Sequence, residues 1–455
     1  MRFRYIAATV PPAVAAAALA VLPATAGTVA SGHLVAGRAA ASLSAGRVTP
    51  DVSTPLAYKY EGKASGELTG SGYLFSCQEP GAPINCYTPR ELATAYDIPG
   101  KLTGAGQTIV IIDAFGDPTI SQDLAVEDTA FGLPTANLNI IYPDGQPTFD
   151  PTDADEIGWS GEIALDVESS HAIAPGATID LVIARSDQDQ DILNALEYVV
   201  AHRLGSVLSQ SYGEAESCEA PGIVVADHLL FAAAAAEGVS VFASSGDNGA
   251  AQASCDGTTL IKSVGLPAAD PLVTSVGATS LTASQPGGAY ESETAWNDAY
   301  GASGGGYSKI FPAPFYQFGV TKARGRGVPD VSYSGDVNNG LLIAWSQGDP
   351  SQEGNIYVFG GTSAGSPQWA AITALADQCA GHSLGFLNYR LYAIAHLRRL
   401  YSYVFHDTTT GSNTVSFVDP GGNTETITGY SATRGWDPVT GLGTPDVAHL
   451  IKIIG

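Results

Sequence analysis

An α/β fold with a mainly parallel central sheet and helices on both faces is what this sequence predicts. Short apolar, β-branched runs alternate with helical stretches from about residue 87 onward, as parallel strands joined by crossover helices require. Glycine-rich loops follow strand-like runs at residues 243–249 and 359–367, and in open parallel sheets ligand and catalytic groups collect at such strand ends. With 45% hydrophobic residues the chain has material for a large core, and no internal repeat divides it.

In chain order, Arg2 and Arg4 precede an apolar run over residues 7–22 that closes in Ala24-Thr25-Ala26, the pattern of a secretory signal peptide cleaved after Ala26. Residues 27–86 are rich in Ala, Gly and Ser without a sustained period and read as an extension or reduced pro-segment. The organised region, 87–455, opens with Thr88-Pro89-Arg90-Glu91, where Thr88 can cap a helix that has Pro89 first and Glu91 third. Strands are expected at 107–112, 177–184, 206–211, 239–243, 271–276 and 355–359. Helices are expected at 160–170, 191–203, 223–237 and 368–378, and the tail from 401 to 446 is loop-rich before a last helical stretch.

The formal charge is −25, which repels nucleic acid and anionic membranes, so neither is an expected partner. No run beyond the signal is long enough to span a membrane; the nearest, 229–236, reads as a buried helix. The chain is therefore expected outside the cell, as a monomer. Of five cysteines, Cys77 with Cys86 and Cys218 with Cys255 are disulfide candidates in an exported protein, leaving Cys379 as a buried thiol. No cysteine spacing suggests zinc.

Three stretches carry chemistry. Ser363 sits in Gly360-Gly361-Thr362-Ser363-Ala364-Gly365-Ser366-Pro367, between a strand and a helix. Glycines there let a backbone approach closely, and a helix start supplies free N–H groups and a positive dipole end; an ordinary Gly/Ser turn has the same composition. Glu162 and Asp166 stand four apart on a helix, so their carboxylates share a face, and two such charges that close are relieved by sharing a proton. Asp247, in Ser244-Ser245-Gly246-Asp247-Asn248-Gly249, is either a turn former or an acid facing the substrate carbonyl. None of the eight histidines lies in a Gly-flanked motif, so a nucleophilic serine would need the acidic pair as its base.

These three motifs, in this order, resemble the sedolisins, the serine-carboxyl peptidases, over roughly residues 87–455. The resemblance implies a subtilisin-like three-layer fold and an acid-active, secreted peptidase acting on protein or peptide substrates. It makes Ser363 the nucleophile, Glu162 the general base, Asp166 the carboxylate that orients Glu162, and Asp247 the oxyanion-hole acid. Asp113 falls where subtilisins keep their triad aspartate and is expected to extend the acidic network or to be structural. The stretch 209–213 would pair with substrate. In the tail, Asp407, Thr408, Thr433, Gly435 and Asp437 resemble the family's calcium site, with two carboxylates and three carbonyls for one structural Ca²⁺. Family members usually carry a long folded prodomain, which the sixty or so residues after Ala26 do not match. The rival expectations are a His-based subtilisin and a secreted binding protein that kept the scaffold without catalysis.

Overall fold

The computed structural model describes residues 75–348 and 355–455, with the backbone of three short strands at 49–50, 52–53 and 60–63. The signal-like segment lies outside the described residues. An eight-stranded sheet forms the middle layer. Its strands in chain order are β1 (Thr108–Ala114), β2 (Asn137–Ile141), β3 (Thr178–Ala184), β4 (Val207–Gln210), β5 (Ser240–Ser244), β6 (Thr274–Ala283), β7 (Tyr290–Ala295) and β8 (Val331–Ser334). Pairing runs β7-β6-β5-β4-β1-β3-β2, with β8 also on β6. All pairs are parallel except β6 with β7 at one edge.

The apolar run of β1 explains why helices cover both faces. Successive side chains of a strand point to opposite sides, and here Ile109 and Ile111 enter one core while Val110 and Ile112 enter another. On the first face lie α3 (Ala154–Ile173) and α6 (Gly365–Ala380), contributing Ile163, Leu165, Trp369 and Leu375. On the second lie α4 (Asp189–His202) and α5 (Pro221–Ala236), contributing Ile192, Leu196 and Phe231. Helix α1 (Pro89–Ala95) starts as expected: Glu91 N–H donates to Thr88 Oγ1 at 3.3 Å and Thr88 N–H to Glu91 Oε2 at 2.9 Å. Helix α2 (Ile120–Phe131) packs outside α3.

Both expected disulfides are present, Cys77–Cys86 and Cys218–Cys255, with Cα–Cα separations of 5.6 and 5.1 Å. Residues ahead of Tyr87 already belong to the packed unit, for Phe75, Cys77 and Cys86 share a cluster with Leu342, Ile356 and Val358. Two expectations are corrected. Cys379 is exposed, because α6 leaves the core after Asp377, two residues earlier. The stretch 229–236 is helical but mostly not buried: of α5 only Phe231 and Ala234, three apart and so on one face, turn inward, while Leu229 is 63% exposed.

Candidate active site

Helix α3 is capped by Asp153, whose carboxylate accepts from the N–H groups of Asp155 and Glu156 at 2.9 and 3.3 Å. From Trp159 the helix packs against β1 and β3 in the middle of the sheet, and both Glu162 and Asp166 are fully buried on it, one turn apart. Burial pushes the Asp166 carboxyl up to about 8, offset in part by hydrogen bonding with Ser211 and with Glu162. Two carboxyls in hydrogen-bonding contact in a water-poor site hold a proton between them. Asp113, near the end of β1, adds a third buried carboxyl. Neither of its oxygens has a hydrogen-bond partner among the described residues, and burial and then the charge of Asp166 raise it well above the ordinary aspartate range.

Ser363 is delivered by the strand Asn355–Gly361, which pairs antiparallel with Asn339–Ala344. Gly361 closes it at φ 109°, a conformation that side chains disfavour. A Cβ on Gly360 would meet the Gly335 carbonyl oxygen at 2.5 Å. A short turn, Thr362–Ala364, follows, and α6 begins at Gly365 rather than at the expected residue 368. Gly365 and Ser366 adopt the helix because the preceding turn already has helical pitch, so the free N–H end of α6 lies immediately after the serine.

Ser211 joins the serine to the acidic pair. Ser363 Oγ donates to the Ser211 carbonyl at 3.3 Å, while the Ser211 side chain lies beside Asp166 and offsets part of the effect of burial on its carboxyl. The strand expected over 206–211 is Val207–Gln210, and Ser211 separates it from a second strand, Tyr212–Ala215. Asp247 approaches from the end of β5 and accepts from the N–H and the hydroxyl of Thr362 at 2.8 and 2.9 Å. Thus Ser363, Glu162, Asp166 and Asp247, widely separated in sequence, meet around one loop. Sequence reading missed Ser211 as a link and Thr362 as the anchor of Asp247; both stood inside quoted motifs, but their neighbours Asp166, Ser363 and Asp247 come together with them only in the fold.

Two strand edges beside the site pair with other short strands of this chain. Thr49–Pro50 pairs antiparallel with Tyr212–Gly213, and Val52–Ser53 pairs antiparallel with Gly360–Gly361. An extended segment of this chain therefore hydrogen-bonds to a strand on each side of the Ser363 loop. The one histidine on α3, His171, is occupied elsewhere, buried with Nε2 2.8 Å from Asp128 and 2.9 Å from the Pro134 carbonyl.

The five tail residues singled out for calcium converge. Asp407 accepts from Gly435 N–H at 3.0 Å, and Asp437 accepts from Thr433 N–H at 2.7 Å. The Tyr401 hydroxyl donates to Asp407, and burial, followed by the charge of Asp407 and then of Asp437, pushes it up. Thr408 Oγ1 is buried without a partner. Among the described residues no group of three or more His, Cys, Asp or Glu side chains is arranged for a metal. A cation here would rely on two carboxylates completed by backbone carbonyls, a hard oxygen set that fits calcium. The cavity that Asp407, Thr433, Gly435 and Asp437 help to line measures about 1110 Å³.

A mainly parallel sheet covered by helices on both faces, with a loop serine and buried acids gathered beside its strand ends, is a subtilisin-like fold. The Subtilase family model matches residues 157–390. The chain is 36% identical over 396 residues to kumamolisin of Bacillus sp. (strain MN-32), an alignment covering 84% of this chain and 66% of that protein. It is 34% identical over 385 residues to sedolisin of Pseudomonas sp. (strain 101), covering 81% and 61%. The solved structure of Pseudomonas sedolisin, a serine-carboxyl proteinase, superposes with a TM-score of 0.68 at 31% identity, covering 81% of this chain and 98% of that one. The chain belongs to the sedolisin family. It spans a little under two thirds of the length of the two curated relatives.

Proposed function

We propose that this chain is a secreted, acid-active serine-carboxyl endopeptidase. The observation that carries the reading is the convergence of Ser363, Glu162–Asp166 and Asp247–Thr362 at a cleft whose two edges already pair with an extended polypeptide. In the proposed reaction Ser363 Oγ attacks the scissile carbonyl while its proton passes to Glu162, which shares the gained proton with Asp166. The carbonyl oxygen becomes an oxyanion, and Asp247, acting in its neutral form, donates a hydrogen bond to it. Glu162 returns the proton to the leaving amine, releasing the first product and leaving an acyl-Ser363. Water then adds to the ester, losing its proton to Glu162, and the second product leaves as Ser363 regains a proton.

Endopeptidase action is preferred because an internal stretch, with chain before and after it, pairs along both edges. Secretion rests on the signal-like start and agrees with two formed disulfides. Among the described residues no helix is long and apolar enough to cross a membrane. One structural Ca²⁺ held by Asp407, Asp437 and the carbonyls of Thr408, Thr433 and Gly435 would brace the tail loops, away from the reacting atoms.

The test is cleavage of casein near pH 4 by purified protein beside Ser363→Ala, with and without chelator, followed by a pH profile. Ser363-dependent cleavage that fades toward neutral pH supports the proposal, and Asp247→Asn should lower kcat by about 10²–10³. Cleavage that survives Ser363→Ala, or full activity well above neutrality, would overturn it.

A further inference from the structure

Four cations stand together in a strongly acidic chain. The sequence holds 20 Lys and Arg against 45 Asp and Glu, yet Lys322, Arg398, Arg399 and Arg434 all line the cavity of about 1110 Å³ beside the tail loops. They come from three separate segments, 319–322, 395–402 and 433–438, so the fold and not the local sequence gathers them. Arg185, Arg203 and Arg326 each hold a carboxylate elsewhere in the molecule. Among the described residues none of the four cavity cations has an ion-pair partner.

Like charges brought together repel, and a chain with more than twice as many acids as bases has no shortage of carboxylates to set between them. The two that share the cavity are engaged with other donors. Asp437 is 2% exposed and accepts from the N–H groups of Thr433, Val439 and Thr440, and Asp407 accepts from Gly435 N–H and the Tyr401 hydroxyl. Two negative charges against four positive leave a cationic excess, which a Ca²⁺ held by those aspartates would only increase. One wall is aromatic and held in place: Trp436 Nε1 donates to the Pro329 carbonyl at 2.9 Å, and its ring stands 6.0 Å from that of Tyr307.

From this we infer that the cavity binds a compact polyanion carrying several sulfate or phosphate esters on a small ring scaffold. Guanidinium forks engage such oxyanions through paired hydrogen bonds, and Lys adds a point charge. An ester of this kind presents three terminal oxygens and accepts from donors converging out of separate segments, whereas a planar carboxylate presents two. Compactness follows from the charge around the cavity: in a chain of net charge −25, a long polyanion would run on over a repelling surface within about 10 Å, one Debye length. The volume lies at the upper end of small-molecule sites, and the Trp436 ring offers the scaffold an apolar face.

The site does not depend on the peptidase reading, and its test involves no cleavage. Calorimetric titration of the purified full chain at low salt, with Ca²⁺ present, uses two probes that differ in the ester, sucrose octasulfate and a fructose bisphosphate, with sucrose as the uncharged control. The expected result is saturable one-to-one binding of at least one ester probe and none of sucrose, with affinity falling at least tenfold in about 0.5 M NaCl; the tighter probe identifies the ester. Lys322→Gln and Arg399→Gln, both exposed and outside the residues proposed for Ca²⁺, should each weaken binding about tenfold. Arg185→Gln removes the same charge from an exposed position outside the cavity and should leave binding unchanged. No saturable binding of either ester probe, or binding that Arg185→Gln weakens as much as Arg399→Gln does, overturns the site.

Discussion

Asp117 offers a direct measure of what burying carboxyls does to this protein. It lies in the loop after β1, is 6% exposed, and accepts from the N–H and hydroxyl of Thr119 at 2.8 Å each. Burial nevertheless dominates and pushes its carboxyl up to about 7. An unfolded aspartate titrates near 4. Between those values the folded chain keeps a proton that the unfolded chain has released, so stability is full below about pH 4 and declines as pH rises. For this one group the loss reaches about 4 kcal/mol at pH 7, from roughly three pKa units at about 1.4 kcal/mol each. Asp117→Asn removes the titration and leaves an amide oxygen to take the Thr119 hydrogen bonds. The buried Oδ2 has no partner, so a protonated carboxyl and an amide face the same unmet donor, and the two proteins should be alike in stability near pH 4. Urea denaturation at pH 4, 5, 6 and 7 should show the variant gaining steadily on the wild type, toward about 4 kcal/mol at pH 7. Parallel curves across that range, or a wild type that gains stability from pH 4 to 7, would refute the reasoning.

Other consequences are open to simpler tests. Ser211→Ala keeps the carbonyl that receives Ser363 Oγ but removes the hydroxyl beside Asp166 that offsets part of its burial; peptide hydrolysis should show kcat down about 10–100-fold with KM little changed, a shifted pH profile, and partial rescue by Ser211→Thr. Removing the Cys218–Cys255 bridge, which closes a 37-residue separation, should cost about 4 kcal/mol in urea denaturation of the double alanine variant. Chelation should lower the melting temperature of the purified protein, Ca²⁺ rather than Mg²⁺ should restore it, and Asp437→Asn should abolish the response.

How much of this was legible in the sequence depended on whether the signal was local. Most of the expected strands and helices lie within a few residues of the observed ones, because their period reports which face is buried. However, 160–170 is only the middle of Ala154–Ile173, 271–276 overlaps only the start of Thr274–Ala283, and the strands Asn137–Ile141, Tyr290–Ala295 and Val331–Ser334 and the helix Ile120–Phe131 had no counterpart. The four-residue spacing of Glu162 and Asp166 was enough to put them on one helix face. What the spacing could not give was burial: that both are fully enclosed follows from α3 lying under Trp345 and Phe359, which stand 3.4–3.5 Å from where a Gly161 Cβ would be. Ser211 was read only as part of a pairing strand, since its two partners come from residues 45 and 152 positions away in the chain. The outward turn of Leu229 and the exposure of Cys379 were misread for the opposite reason. An apolar composition says that a residue can be buried, while the sheet has room for only one side of α5 and for α6 only as far as Asp377.

The choice of acid over histidine then has a physical consequence that reaches beyond the reacting atoms. Under the proposed mechanism Glu162 can accept a proton only while Asp166 and Asp113, enclosed with it, are not all charged, since each buried negative charge raises the cost of the next. The proton that keeps this cluster workable is also one that the folded state retains and the unfolded chain gives up above pH 4. Asp166, lifted to about 8, and Asp117, lifted to about 7, therefore act with the same sign on folding, the first inside the site and the second outside it. A histidine base would invert this: buried, it would be favoured neutral and would lose stability as pH fell. Replacing the pair by a histidine without also relieving the other buried carboxyls would thus ask the site to work best near neutral pH, where the scaffold around it is weakest.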